Sequence, residues 1–499
     1  MKSSMLCALI GVLAMPGLAT VQPASVFNHN MVLQQGCRVP VWGTANAGEM
    51  VSVSFGGERK TCVAGADGKW RVDLEPMVAS AAPRDLTIGS CSFTNVVVGE
   101  VWLCSGQSNM ELSLWGSPQI GLHAGRETDG YFDAALVDLP EVRACTVPRE
   151  WDIKERTDFQ KKLSWKPFLP GTQRALSAIA FHYAVILHAS LRVPVGIIVA
   201  AWGGSSIKPW ISPDGFCSVP SLAKFADVKL VKSLDGTMTT DEGEAKSPTE
   251  IRPVQNNVNP SQCRILWNAM IRPLVPFALR GAIWYQGESD SGMRLGYYDY
   301  LEALWNGWSE AFERPEMSFY LVQIAPYKGY CQWVGQRHCE IWTAQEKFAR
   351  DHAYAGMAST VDVGELDNLH PCRKRTVAMR LAALALNRDY GRKDIRCDGP
   401  ALSSCRAQGN VVLLSFDHVS NWCRCGSEQP GEFEVAGTDG VFKTAIAEYG
   451  KGTIKVASEE VKTPKAVRYL WNWNLVGKLK NECGLPVPPF CVNVQGDDK

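Results

Sequence analysis

The sequence carries no surplus of charge of either sign: Lys plus Arg and Asp plus Glu each number 51. No basic footprint asks for nucleic acid, and no acidic or basic tail is present. Beyond the first twenty residues, no stretch reaches the roughly 18 uninterrupted apolar residues of a spanning helix, so no membrane span is expected. Metal-ligand spacing is missing too. Cys423-Arg424-Cys425 is too short for a C-x-x-C redox or zinc motif, and no second cluster completes it. Neither a metal nor a cofactor is expected. An Asn-x-Ser/Thr acceptor without Pro is also absent, so N-glycosylation by that signal is not expected. No repeat with a period of about 20–50 residues occurs, which sets aside a solenoid.

What is present points to an exported globular chain. Residues 1–20 read as a secretory signal, with Lys2 as the positive start, apolar residues from Met5 to Leu18, and small residues near Ala19. Of 17 Cys, Cys7 leaves with that signal, and an even set remains. An oxidising compartment would pair most of them. Three pairs stand eight residues apart and read as local loop closures: Cys331/Cys339, Cys397/Cys405 and Cys483/Cys491. The expected location is the secretory pathway, ending outside the cell or in the lysosome, or the periplasm of a bacterium. The 17 Trp fill cores first, but indole faces also suit sugar rings.

With 499 residues, several domains fit. From 21 to 95 the text alternates in period two and breaks at Gly, as in Val51-Ser52-Val53-Ser54-Phe55-Gly56-Gly57, and Asp67-Gly68 reads as a hairpin turn. This is a small β-domain. From 96 to 393, apolar runs alternate with amphipathic stretches. The runs are Val96–Cys104, Val195–Ala201, Leu279–Tyr285, Ser318–Ile324 and Tyr354–Asp362. Gln173–Arg192, Tyr298–Phe312, Glu340–Arg350 and Arg375–Asn387 have helical periodicity. Strands apolar throughout and separated by helices imply a parallel sheet covered on both faces, an α/β domain. Residues 218–262 read as a surface insertion. From 394 to 499 the pattern returns to β, with Val411–Phe416, Gly431–Ala436, Thr453–Val456 and Val467–Trp471, and reads as a β-sandwich.

Ligands of an open parallel sheet bind beyond the carboxyl ends of its strands. Four such ends carry small, polar or nucleophilic residues. They are Ser105-Gly106-Gln107-Ser108-Asn109-Met110, Trp202-Gly203-Gly204-Ser205-Ser206, Gln286-Gly287-Glu288-Ser289-Asp290 and Gly364-Glu365-Leu366-Asp367-Asn368-Leu369-His370-Pro371. Acyl transfer needs an activated hydroxyl, a base, and donors for the developing oxyanion. Ser108, after a Gly and at a helix start, is the best hydroxyl. The G-x-S-x-G elbow of α/β-hydrolases fails, because position 110 is Met.

These blocks resemble the SGNH hydrolase superfamily, and within it the sialate O-acetylesterase family. Gly99-Glu100-Val101-Trp102-Leu103-Cys104-Ser105-Gly106-Gln107-Ser108-Asn109-Met110 is the decisive block. Trp202-Gly203-Gly204, Trp284-Tyr285-Gln286-Gly287-Glu288 and Asp367-x-x-His370-Pro371 follow in the family's order. The resemblance implies an SGNH-type, flavodoxin-like parallel sheet flanked by N- and C-terminal β-sandwich-like domains. It implies Ser108 as nucleophile, His370 as general base and Asp367 as the orienter of that base. The oxyanion donors would be the N–H groups of Ser108 and Gly203 or Gly204, and the Gln286 carboxamide. Asn268 and Glu288 are candidate substrate-binding residues. The chain departs from the family at Ser205-Ser206-Ile207-Lys208-Pro209-Trp210 and at Asp290, positions that bear on sugar binding.

The resulting expectation is a serine esterase for O-acetylated sialic acids, free or glycan-linked, working through an acyl-enzyme. Its nearest rival is an acetylesterase for another acetylated carbohydrate such as xylan. In a different class stands a non-catalytic carbohydrate-binding protein, against which the full Ser/Asp/His/Gln set argues. A lipase lacks support because no apolar lid text borders these blocks. A sialate carboxylate would be met by Arg or clustered N–H groups, with Arg264 and Arg272 at hand. The oligomeric state is not encoded in any feature of the sequence.

Overall fold

The apolar runs of residues 96–393 fold into one sheet. The structure is a computed structural model that describes residues 21–115, 128–227, 230–232, 238–240, 263–336, 338–424, 426 and 431–495. The expected signal at 1–20 and most of the expected 218–262 insertion lie outside the described residues. In chain order the central strands are β1 (Cys91–Gly106), β2 (Leu139–Thr146), β3 (Lys166–Phe168), β4 (Val195–Ala201), β5 (Gly281–Tyr285), β6 (Ser318–Val322) and β7 (Ala355–Ala358). Their spatial order is β3-β2-β4-β1-β5-β6-β7. All neighbours pair in parallel except β3, which joins β2 antiparallel. The run β4-β1-β5-β6-β7 has the flavodoxin-like order, so the chain reverses its winding direction beside β1.

Alternation along the strands explains why they are apolar throughout. Val101 and Leu103 of β1 enter one core, while Trp102 and Cys104 enter the other. Ala282 and Trp284 of β5 part from Ile283 and Tyr285 in the same way. Helices cover both faces. α1 (Ser108–Glu111) is one turn long, and α2 (Ala178–Leu191) and α5 (Lys374–Arg388) pack with Trp102 and Tyr320 through Ile179, Tyr183, Leu187, Leu381 and Ala385. α3 (Tyr297–Ala311) and α4 (Glu340–Asp351) close the opposite face with Leu301, Trp308, Ile341 and Phe348. Each fully buried Leu or Phe side chain contributes about 1.5–3 kcal/mol.

β1 is 16 residues long and runs unbroken through positions 95 and 96. Its first half pairs with Ser80–Ile88 and Val32–Gln34, tying the N-terminal strands to the same sheet. At the interruption Gly99-Glu100, the buried Glu100 carboxylate takes both Nε and Nη2 of Arg280 at 2.9 Å, together with Gln34, Gln35 and Tyr390. That pairing makes a buried charge tolerable inside an apolar strand. Residues 401–493 form two four-stranded sheets, plus a two-stranded pair, around Val412, Leu414, Ile454, Phe433, Val435 and Tyr469.

The three expected eight-residue disulfides are not made: Cys331, Cys397, Cys405, Cys483 and Cys491 are free thiols. Cys397 packs with the α2–α5 side of the central sheet, whereas Cys405 belongs to the C-terminal core, so the eight-residue spacing spans two cores.

Gly106 ends β1 at φ 135°, and a Cβ there would lie 2.1 Å from the Tyr285 carbonyl oxygen. Gly204 also has a positive φ, 77°, but a Cβ there meets nothing within 4 Å. Gly204→Ala should therefore cost only the left-handed conformation, about 1–2 kcal/mol. Gly106→Ala should cost more, about 3 kcal/mol or above, because backbone must also shift. Denaturant midpoints at unchanged m-value check the ranking, and equal costs would contradict it.

Candidate active site

Strand ends converge around the carboxyl end of β1. The Gln107 N–H donates to the Tyr285 carbonyl at 3.0 Å, and the Trp202 N–H to the Gly106 carbonyl at 3.0 Å. The loops after β5 and β4 are thereby fixed on either side of Ser108, which opens α1. The loop after β7 brings His370 across, with Nε2 2.7 Å from Ser108 Oγ. Burial and the Lys374 cation push the imidazole down to about 4, so it is neutral and able to accept the hydroxyl proton.

The four expected oxyanion donors are placed differently from one another. The N–H groups of Ser108 and Gly204 have no hydrogen-bond partner among the described residues. The Gly203 N–H instead donates to Glu111 Oε2 at 2.6 Å. A Cβ on Gly203 would come 3.4 Å from the Ser108 Cβ, so this glycine lies against Ser108. Gln286 is fully buried, and its Nε2 is directed to Asp290 Oδ2 (2.7 Å), Gln107 Oε1 (3.0 Å) and the Ser205 carbonyl (3.2 Å). Tyr297 donates to its Oε1 at 2.6 Å. In this geometry Gln286 braces three strand-end loops, and its amide protons are already committed.

The orienting role expected of Asp367 is not made in the structure. Its side chain is 84% exposed and pairs with Lys328 Nζ at 3.0 and 3.1 Å. The backbone turn of Glu365–Asn368 faces this carboxylate outward, and His370 Nδ1 bonds no described residue. The turn is held from within instead. Glu365 accepts from Asn368 Nδ2 and the Cys372 N–H, both at 2.9 Å, and Asn368 Oδ1 accepts the His370 N–H at 3.0 Å.

The candidate sugar-binding residues are likewise interior. Glu288 is buried with one oxygen on Asn109 Nδ2, and burial raises its pKa. Asn268 is buried in a helical turn, donating to the Asp152 carbonyl at 3.0 Å, while its own Oδ1 has no partner among the described residues. Arg272 pairs with Glu155 at 3.4 Å, and Arg264 takes a positive φ of 65° where that turn begins.

Two further carboxylates brace the site in a way the sequence did not indicate. Glu111 lies one turn after Ser108 and clasps Arg149 at 2.8 Å as well as Gly203. Burial pushes its carboxyl upward against the pull of Arg149. Asp290, pushed up to about 6 by burial, holds both Gln286 and the Ile207 N–H. An i,i+3 spacing from Ser108 could have marked Glu111, whereas the sequence marked Asp290 only as a departure from the family pattern and gave no sign of its bracing role. Among the described residues, no grouping of His, Cys, Asp and Glu could hold a metal ion, and no helix is long and apolar enough to cross a membrane.

No protein-family model matches the chain. A sialate O-acetylesterase of Pongo abelii is 28% identical over 525 residues, covering 95% of this chain and 93% of that protein. The human sialate O-acetylesterase is 28% identical over 435 residues, covering 79% of this chain and 76% of its own. Over most of its length, this chain is similar to the sialate O-acetylesterases. The crystal structure of a carbohydrate acetylesterase from Xanthomonas citri superposes with a TM-score of 0.79 at 27% identity, over 95% of this chain and 100% of that one.

Two outcomes follow from this geometry. A proton on His370 blocks acceptance of the Ser108 proton, and a lowered pKa keeps that proton off until the medium is well below the ordinary value of about 6.5. The pH profile of kcat/KM should stay level between about pH 5.5 and 8 and fall only toward about pH 4. An acid limb centred near 6.5 would contradict the neutral, buried imidazole. Asp367→Asn should reduce kcat less than about tenfold, against several orders of magnitude for His370→Ala. Comparable losses would return Asp367 to the base.

Proposed function

We propose that this chain is a serine esterase that hydrolyses O-acetyl esters of sugars, with sialic acids as the preferred class, through an acetyl-enzyme on Ser108. The observation that carries the reading is the 2.7 Å contact between Ser108 Oγ and a neutral imidazole. Ser108 Oγ attacks the acetyl carbonyl carbon while its proton passes to His370 Nε2. The oxyanion is received by the N–H groups of Ser108 and Gly204, with that of Gly203 joining when Glu111 yields it. Collapse breaks the ester bond, and the imidazolium returns the proton to the departing sugar hydroxyl. Water then attacks the acetyl-serine with His370 again as base, releasing acetate and restoring Ser108.

The choice of sugar rests on the names of the relatives, sialate O-acetylesterases over most of their length. A similar solved protein is a carbohydrate acetylesterase, which keeps another acetylated carbohydrate, such as xylan, as the second substrate reading. A secretory or lysosomal route accords with the residues 1–20 signal. An acid limb near pH 4 would suit work in an acidic compartment.

Ser108→Ala should fold normally and lose several orders of magnitude in turnover on p-nitrophenyl acetate. Retention of more than about a tenth of wild-type activity would refute the nucleophile. Side-by-side kcat/KM on acetylated sialic acid and acetylated xylan decides the sugar. A higher value on xylan would reassign the substrate and leave the chemistry standing.

A further inference from the structure

The base loop is held to the nucleophile turn by a route that no carboxylate–imidazole contact supplies. Asn109 directly follows Ser108 and is fully buried. Its Nδ2 donates to the carbonyl of Leu369, the residue before His370, at 3.1 Å. The same Nδ2 reaches Glu288 Oε1, and Oδ1 accepts from Lys374 Nζ at the start of α5. All three partners are on different elements: the loop after β7, the segment after β5, and α5.

We propose that Asn109 is a positioning residue that sets His370 against Ser108 through the Leu369 carbonyl, with Glu288 and Lys374 locking its carboxamide from either side. The proposal rests on the Ser108–His370 acyl-transfer reading and deepens it. A carboxamide oriented by a cation at its oxygen and an anion at its nitrogen cannot flip without burying two mismatched groups, which would cost a full desolvation penalty at each. Asn109 therefore has one rotamer available, and that rotamer fixes the Leu369 carbonyl. Since Ser108 and Asn109 are adjacent, any movement of the nucleophile turn carries the base with it.

Lys374 has a second consequence. Its ammonium is buried beside His370 and faces Glu288, Glu365 and the Tyr285 ring, whose centre is 5.3 Å from Nζ. The two carboxylates balance the cation, and the cation opposes a second positive charge on the imidazole. A triad carboxylate stabilises the imidazolium; this arrangement fixes the base while favouring its neutral form.

The test uses the full chain, with folding followed by far-UV circular dichroism and thermal melting. Asn109→Ala should lower kcat on p-nitrophenyl acetate about 10²-fold, the loss expected when a base is misplaced by about 1 Å, with KM within about twofold. Where the Ala variant fails to fold, Asn109→Asp keeps the shape but loses the donor to Leu369, and should show the same kcat loss. Lys374→Met should move the acid limb of kcat/KM upward from near 4, by the part of the lowering that the cation and not burial supplies. A purely structural role for Lys374 would change melting and leave the limb where it was. Folded Asn109 variants with wild-type kcat, or an unmoved limb in Lys374→Met, overturn the proposal while Ser108→Ala remains inactive. An active Ser108→Ala would instead bring down the acyl-transfer reading beneath it.

Discussion

A serine hydroxyl is a poor nucleophile unless a neutral base waits at hydrogen-bond distance for its proton. The 2.7 Å contact between Ser108 and His370 is that requirement, and its two halves come from opposite parts of the chain, 262 positions apart. What surrounds the contact can be understood as the means of keeping it. The end of β1 is bonded to the loops after β4 and β5, Gln286 and Asp290 hold those loops to each other, and Glu365 and Asn368 stiffen the turn that carries the imidazole.

These braces are polar groups buried at the top of a parallel sheet, where each unmet donor or acceptor is expensive. Their cost is offset by satisfying one another, as with Gln286, whose carboxamide meets Gln107, Ser205, Asp290 and Tyr297. The same economy explains why Gln286 is a brace in this geometry. A fully buried amide with its protons engaged has nothing left to offer an arriving oxyanion. Gly204, open on the side where a Cβ would stand, is free of such commitments.

Much of this architecture was legible in the sequence. Val195–Ala201 reads as a strand because it is apolar throughout, and it is one; Glu340–Arg350 has helical periodicity, and α4 spans Glu340–Asp351. The blocks that carry Ser108 and His370 were legible at strand ends, and the structure brings the two side chains to 2.7 Å. Asp367 was misjudged for a physical reason: D-x-x-H spacing says how far apart two residues are along the chain, but the turn between them decides which way the carboxylate faces. Here Lys328, distant in sequence, draws it outward. The Asn109–Glu288–Lys374 cluster was illegible for the same kind of reason, since three elements far apart in the chain meet only in the fold. The cysteines failed because spacing cannot reveal that Cys397 and Cys405 belong to different cores.

The central claim is that Ser108 carries the acetyl group between two half-reactions, with His370 as its proton acceptor. Rapid acid quenching during turnover of an acetyl ester, followed by digestion and mass spectrometry, tests it most directly. One acetyl group is expected on the peptide containing Ser108, accumulating in His370→Ala when a highly activated ester is supplied and absent in Ser108→Ala. Turnover with no acetylated peptide in either the wild type or His370→Ala, or an acetyl group on a different residue, would contradict it.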